Sequence, residues 1–120
     1  MKIAHQTKYQ REVVLVGHGS VLGICHISAA RNRDEKEWGE VVAIYLLPKI
    51  WGNGQGCELL QYALGKLKKK GFKNFCLWVM KDNIRVRKFY EKNGFQISGN
   101  ERDIEIAECR VNEVEYIYYG

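Results

Sequence analysis

One stretch, residues 41–70, constrains the fold more strongly than any other part of the chain. It begins with the apolar, partly β-branched run Val41–Leu47, which Pro48 ends and which predicts a buried strand. Glycine then occupies every second position of Gly52–Gly56, and leucine and alanine recur three and four positions apart within Leu59–Leu67. This second spacing is typical of a helix with one apolar face. The stretch therefore predicts a strand, a glycine-rich turn and a helix in direct succession.

A glycine-rich turn that leads into a helix N-terminus is suited to binding phosphate. Glycines let the backbone approach an anion closely, and the unpaired N–H groups and positive end of the helix attract it. The spacing of these glycines differs from the dinucleotide-binding pattern, and no Lys-Ser or Lys-Thr pair follows them as in a P-loop. From these residues alone, a tight connection explains the turn as well as an anion site does.

The whole chain predicts one globular domain over residues 1–120. Its share of charged residues, 28%, and its single proline are ordinary for a globular protein. No apolar run approaches membrane-spanning length, and the N-terminus lacks the apolar core of a signal peptide, so no membrane partner is expected. Four widely separated cysteines favour free thiols in a reducing cytoplasm over disulfides. They are Cys25, Cys57, Cys76 and Cys109.

The net charge of +5 favours an anionic ligand or partner. Nucleic acid is one candidate, through the basic residues of 66–73 and 85–88, but no aromatic-interleaved or recognition-helix pattern accompanies them. A solvated helix end explains these cations better, so nucleic acid is the less favoured partner. The histidines at positions 5, 18 and 26 show no ligand spacing, and we expect no metal site.

The remaining segments predict further strands and a second helix around the central unit. We expect a short first strand and a hairpin before it. A strand, a helix capped by Asp82 or Asn83, and two antiparallel strands with a turn near residues 110–112 should follow it. The segments are Lys2–His5, Glu12–Val16, Val21–Ala29, Asn74–Met80, Ile84–Lys92, Phe95–Ile97 with Ile104–Cys109, and Val111–Tyr119. Because a helix joins two of the strands, those two should run parallel. The predicted fold class is α/β, a mixed sheet flanked by helices, with a ligand site at the carboxyl ends of the parallel strands.

Two parts of the chain resemble motifs of the Gcn5-related N-acetyltransferases, the GNAT family. Residues 40–48 followed by Trp51–Gly56 resemble its motif A, and Asn83 with Phe89–Phe95 resembles its motif B. The likeness runs from about Glu12 to the C-terminus and includes the order of strands and helices. It implies the GNAT-like acyl-CoA N-acyltransferase fold and acetyl-CoA as the cofactor.

The resemblance also implies which residues bind the cofactor. Backbone N–H groups of Gly52–Cys57 would hold the diphosphate, strand residues 44–46 would pair with the pantetheine arm, and Asn83 would contact the cofactor from the next strand. The family has Arg or Gln where this chain has Trp51. The implied cofactor-binding residues are Ile44, Tyr45, Leu46, Gly52, Asn53, Gly54, Gln55, Gly56, Cys57 and Asn83.

For catalysis, the resemblance implies Glu40 as the general base and Tyr90 as the acid that protonates the leaving thiolate. A lysine-like amine has a pKa near ~10.4, so a base is useful, and a phenol pKa near ~10 suits protonation of a thiolate. Each residue also has a structural explanation, as a solvated strand-end carboxylate and as a core aromatic. A backbone N–H near Leu46 would stabilise the developing oxyanion. Cys57 would lie at the diphosphate end, so direct attack by the amine in a ternary complex is favoured. In another branch of the family a glutamate in the next strand is the base, and this chain has Trp78 there.

The acceptor is expected to be a primary amine on a small molecule or a protein. Residues 1–11 are too few for the two helices that form one wall of the acceptor site in the family. A homodimer could supply that wall, the site could be open, or the chain could be a non-catalytic acyl-CoA-binding or sensor module. Carboxylates at Asp34, Glu35, Glu37 and Glu40 would suit a cationic amine. The function predicted is an acetyl-CoA-dependent N-acetyltransferase, with the binding module as the alternative.

Overall fold

The computed structural model describes residues 2–6, 11–17, 19–31, 37–52 and 54–120, and for residues 2–6 it describes the backbone. These residues form a β-sheet and two α-helices. The strands are β1 (Lys2–Gln6), β2 (Glu12–Gly17), β3 (Ser20–Ala29), β4 (Trp38–Leu46), β5 (Asn74–Met80), β6 (Gln96–Ile106) and β7 (Cys109–Tyr119). The helices are α1 (Gln55–Lys69) and α2 (Ile84–Lys92), and a short 3₁₀ turn at Pro48–Ile50 lies between β4 and α1.

The described strands form one mixed sheet in the order β1-β2-β3-β4-β5-β7-β6. β4 and β5, the two strands that α1 connects, run parallel, and every other pair of neighbours is antiparallel. The α/β fold class with a mixed sheet is confirmed, including the position of its parallel pair.

The last hairpin turns earlier than predicted. Its two turn residues are Ala107 and Glu108, both with positive φ, rather than residues near 110–112. Two-residue hairpin turns favour positive φ, for which Asn and Gly are the usual signals, and Ala-Glu carries no such signal. β6 itself is one continuous strand, with a register shift between Ile97 and Glu101.

Both helices pack against the same face of the sheet. α1 buries its stripe of leucines against β2, β3 and β4, in a core that β5 also lines, and one tyrosine of α2 joins the same core. The core side chains from these elements are Leu59, Leu60, Leu64, Leu67, Phe75, Leu77, Val79 and Tyr90. Because side chains alternate along a strand, Cys76, Trp78 and Met80 of β5 lie on the opposite face. Neither helix in the described ranges is long and apolar enough to span a membrane.

β4 and β5 separate partway along their length. Their paired residues end where Glu40 lies opposite Cys76, although β4 continues to Leu46 and β5 to Met80. On its other side β4 stays paired with β3, with a register shift next to His26. A bulge of this kind bends the strand that carries it. Beyond Glu40, the edge of β4 that faces β5 therefore has no strand partner within the described part of the chain.

Candidate active site

A cleft of about 790 Å³ lies between the separated parts of β4 and β5. Its walls include Val86 and Phe89 from the helix-bearing face of the sheet and Trp78 and Met80 from the opposite face. The cleft therefore passes through the sheet instead of lying on one side of it. A volume of this size is typical of a site for a small molecule or a cofactor.

Most of the predicted cofactor-binding residues line this cleft. They are Ile44, Tyr45, Leu46, Gly52, Gly54, Gly56, Cys57 and Asn83. Gln55 is absent from its walls, is buried, and has no hydrogen-bond partner for its Oε1 among the described residues. Asn53 lies outside the described residues.

Glycine is required in the turn for two different reasons. Gly52 and Gly54 have φ values of +81° and +80°, which disfavour any residue with a Cβ. Gly56 has an ordinary helical backbone, but a Cβ there would lie 2.7 Å from Leu46 Cδ1 and 3.2 Å from Phe89 Cε1. Gly54 is also the N-cap of α1 and supplies no side-chain cap, so the first N–H groups of α1 have no capping side chain.

On the side of the cleft across from the glycine-rich turn, α2 carries a row of cationic side chains. Arg85, Lys88 and Lys92 all line the cleft, and their spacing places them on one side of the helix. Asn83 begins this helix by accepting a hydrogen bond from the Val86 N–H at 3.3 Å on its Oδ1. Arg87 has a different role, because its guanidinium donates to the Tyr116 hydroxyl at 2.9 Å and to a backbone carbonyl at 2.8 Å. The basic run 85–88 is thus divided, because Arg85 and Lys88 line the cleft while Arg87 is bonded to Tyr116 and the Lys81 carbonyl.

Tyr90 lies at the cleft wall but is almost entirely buried, with 4% of its surface exposed. The rings of Phe89 and Phe95 flank it at centroid distances of 5.3 and 5.7 Å. Burial, with a smaller contribution from the Cys25 thiol, raises the pKa of Tyr90 above its ordinary value. Its phenol therefore stays protonated at neutral pH, as an acid must before it acts.

Glu40 is positioned differently from its prediction as a solvated or cleft-facing carboxylate. It is 1% exposed, lies at the last β4–β5 pair, and is absent from the cleft walls. Arg31 donates to Oε1 from its backbone N–H and from Nε, both at 3.2 Å, and to Oε2 from Nη2. This contact raises the pKa of Arg31. Sequence reasoning missed Arg31, which carries no motif.

Sequence reasoning also missed a group of polar residues on the face opposite the helices. Arg102 donates from Nε to Glu113 Oε1 at 2.8 Å, and its guanidinium lies 4.3 Å from the centroid of the Trp78 ring. The Trp78 Nε1 is buried and has no hydrogen-bond partner among the described residues. Glu113 and Trp78 both line the cleft.

A second buried carboxylate, Glu115, lies on the same face with 1% of its surface exposed. It accepts hydrogen bonds from the Ser98 hydroxyl at 2.7 Å and from the Asn100 amide at 3.0 Å. Of the proposed acidic lining, Glu37 is exposed, and Asp34 and Glu35 lie outside the described residues. The described residues include no group of three His, Cys, Asp or Glu side chains that could hold a metal ion.

Comparison with known proteins places this geometry in a family. The family model for the acetyltransferase (GNAT) family matches residues 4–95. The uncharacterized N-acetyltransferase YuaI of Bacillus subtilis is 31% identical over 96 residues, which cover 80% of this chain and 54% of YuaI. Rv2669 of Mycobacterium tuberculosis, also an uncharacterized N-acetyltransferase, is 30% identical over 94 residues, which cover 78% of this chain and 58% of that protein. The chain therefore spans somewhat more than half the length of these relatives.

Solved structures share the fold at lower identity. A GNAT family acetyltransferase from Elizabethkingia anophelis, whose crystal structure contains acetyl-CoA, superimposes with a TM-score of 0.75 at 17% identity. The match covers 91% of this chain and 75% of that one. The match to the family model over most of the chain, with a cleft at the predicted point of the sheet, makes this chain a member of the GNAT acetyltransferase family.

Proposed function

We propose that this chain is an acetyl-CoA-dependent N-acetyltransferase that moves an acetyl group to a primary amine by direct attack in a ternary complex. The observation that carries the proposal is the cleft through the sheet, which connects the glycine-rich turn with the buried phenol of Tyr90. Family membership supports the reaction class, and the acetyl-CoA in the E. anophelis relative supports the cofactor.

The turn fits a diphosphate in three ways. The start of α1 has no side-chain cap, so its N–H groups are available to an anion. Gly56 keeps the backbone close to Leu46 and Phe89, where a side chain would collide. The cations of α2 stand across the cleft and add favourable charge.

The unpaired edge of β4 fits the extended, amide-containing arm of the cofactor. Residues 44–46 line the cleft beyond the last β4–β5 pair. Backbone N–H and C=O groups on such an edge can bind an added extended chain as a neighbouring strand would. Asn83, at the start of α2, borders the same space.

Acetyl-CoA bound in this cleft would supply an activated acetyl group. Tyr90 holds a proton on its hydroxyl oxygen at neutral pH, because burial raises its pKa, and can donate it to a leaving thiolate. Glu40 is the proposed base; it lies outside the cleft walls, and proton transfer to it would compete with the hydrogen bonds that Arg31 donates to both of its oxygens. Glu113 lines the cleft on the face opposite the helices, and its Oε2 would accept a hydrogen bond from the amine while Oε1 is paired with Arg102.

The first test is thermal unfolding with acetyl-CoA, CoA and ADP. A ligand at a hundred times its Kd stabilises a fold by about 2.7 kcal/mol, which corresponds to a shift of several degrees. We expect a shift with acetyl-CoA and CoA and little with ADP. The absence of any shift would contradict the cofactor assignment.

One observation favours a second function, a non-catalytic acyl-CoA-binding module. Both oxygens of Glu40 are engaged by Arg31, so the proposed base is held in an ion pair. The two functions differ in turnover. Release of CoA thiol from acetyl-CoA, measured with a panel of amines, should depend on the amine if the chain is an enzyme. Tight binding of acetyl-CoA without thiol release for any amine would establish the binding module.

A further inference from the structure

Trp51 and Arg85 form a contact across the cleft. Trp51 belongs to the turn after β4 and Arg85 to the first turn of α2, so the pair joins the two sides of the opening. The Arg85 Cζ lies 3.9 Å from the centroid of the Trp51 ring. The indole is itself fixed, because its Nε1 donates a hydrogen bond to the Leu46 carbonyl at 3.0 Å.

This arrangement orients the guanidinium of Arg85. A guanidinium that lies on an aromatic ring is attracted to the ring face, while the N–H groups at its edge stay free to donate. Both residues line the cleft, and Trp51 precedes Gly52 in the chain. Within the described residues Arg85 has no carboxylate partner. A planar group with several donors in this position is suited to binding two neighbouring phosphate oxygens.

The contact also compensates for an unusual residue. The resemblance implies Arg or Gln where this chain has Trp51, so an aromatic ring stands in place of a polar side chain at the start of the turn. Arg85 brings a guanidinium to the same region from the other side of the cleft, with Trp51 as its support.

We propose that Arg85, held on the ring of Trp51, binds the diphosphate of the cofactor from the side of the cleft opposite the glycine-rich turn. This inference rests on the proposed function. It assigns a binding role to Arg85 and a positioning role to Trp51.

The test measures the Kd of acetyl-CoA and of acetyl-dephospho-CoA, which lacks the 3′-phosphate, by calorimetry. Arg85→Ala should raise both values by about tenfold, since it removes a charge-assisted hydrogen bond. Trp51→Leu should raise both by a smaller factor, because it releases Arg85 without removing its charge. Lys69→Ala is the matched control, since Lys69 is an exposed cation near the far end of α1, and it should leave both values unchanged.

The most discriminating variant moves the guanidinium from position 85 to position 51. In the Arg85→Ala background, Trp51→Arg should restore most of the lost affinity, because it returns a guanidinium to the turn. An unchanged Kd for Arg85→Ala, with wild-type binding intact, would overturn the inference and leave the proposed function standing. A loss seen with acetyl-CoA but not with acetyl-dephospho-CoA would also overturn it, since Arg85 would then bind the 3′-phosphate. Failure of the wild-type chain to bind acetyl-CoA would instead contradict the proposed function.

Discussion

Arg31 donates hydrogen bonds to both carboxylate oxygens of Glu40, at the point where β4 and β5 separate. The two partners differ in exposure, because the Arg31 side chain is 58% exposed and that of Glu40 is 1% exposed. The arginine therefore lies over the carboxylate as a cover, and its removal would leave a buried charge with fewer donors.

Arg31→Ala should lower the free energy of unfolding by about 1–3 kcal/mol, because it leaves a buried acceptor unsatisfied. The double variant Arg31→Ala/Glu40→Gln should recover part of the loss, since an uncharged amide tolerates burial better. Urea unfolding measures both. A double variant no more stable than Arg31→Ala would contradict this explanation of the pair.

Glu40→Gln tests the proposed base separately. If Glu40 accepts the proton, turnover should fall by about 100-fold while the Kd of acetyl-CoA stays near its wild-type value. Glu115→Gln is the matched control, because Glu115 is equally buried and carries no proposed catalytic role. A fall in turnover that merely follows the loss of folded protein would mean a structural role for Glu40.

Tyr90→Phe should lower kcat by about 100-fold while the Kd of acetyl-CoA stays near its wild-type value, because the ring remains and the donated proton is lost. Stopped-flow thiol release and calorimetry give the two quantities. Tyr62→Phe removes a phenol from α1, away from the cleft, and should change neither. Equal losses of binding and turnover would assign Tyr90 a packing role.

Stability should fall steeply at alkaline pH. Burial raises the pKa of Cys25 from 9.0 to about 12, so between these values the unfolded chain releases a proton that the folded chain retains. The free energy of unfolding then decreases with rising pH by about 1.4 kcal/mol per pH unit for each such group. Tyr90, whose pKa is also raised by burial, adds to the slope above its ordinary pKa of about 10. Urea unfolding should show a shallower slope for Cys25→Ala, and an unchanged slope would contradict the assignment.

Gly56→Ala should destabilise the fold by about 1–3 kcal/mol, because the added methyl meets Leu46 and Phe89 in a packed region. Gly65 offers a control on the same helix, since a Cβ there meets nothing within 4 Å. Gly65→Ala should stabilise the protein by up to about 1 kcal/mol through helix propensity. Thermal unfolding distinguishes the opposite signs, and two variants of equal sign would contradict the crowding at Gly56.

The central unit of the fold could be predicted because its signals are local. Each signal depends on residues that are neighbours in the chain: the apolar run before Pro48, the alternate glycines and the leucine spacing. The strand, the turn and the helix that they predict are all confirmed. The glycines at positions 52, 54 and 56 all line the cleft; glycine is required at the first two because of their positive φ and at the third because Leu46 and Phe89 leave no room for a side chain.

The ionic partners could not be predicted, because they depend on contacts between distant segments. Arg31 contacts Glu40 nine positions away in the chain, and nothing near either residue signals that contact. Glu115 occupies a strand position that alternates with apolar residues, which is typical of a solvent-facing side chain. It is buried because Ser98 and Asn100 of the neighbouring strand cover it.

The early end of the β4–β5 ladder has a mechanical consequence. Strands β1–β4 and strands β5–β7 are joined in the sheet through three residue pairs of β4 and β5, the last of which is Glu40 with Cys76. The sheet is thus two panels, strands β1–β4 and strands β5–β7, with a short direct connection, and α1 packs mainly against the first panel. A ligand that pairs with the open edge of β4 and also contacts α2 would connect the two panels beyond the last β4–β5 residue pair. Ligand binding would then restrict the motion of the two panels relative to each other. Amide hydrogen exchange should become slower in the strands of both panels, and not only at the ligand-bound edge of β4.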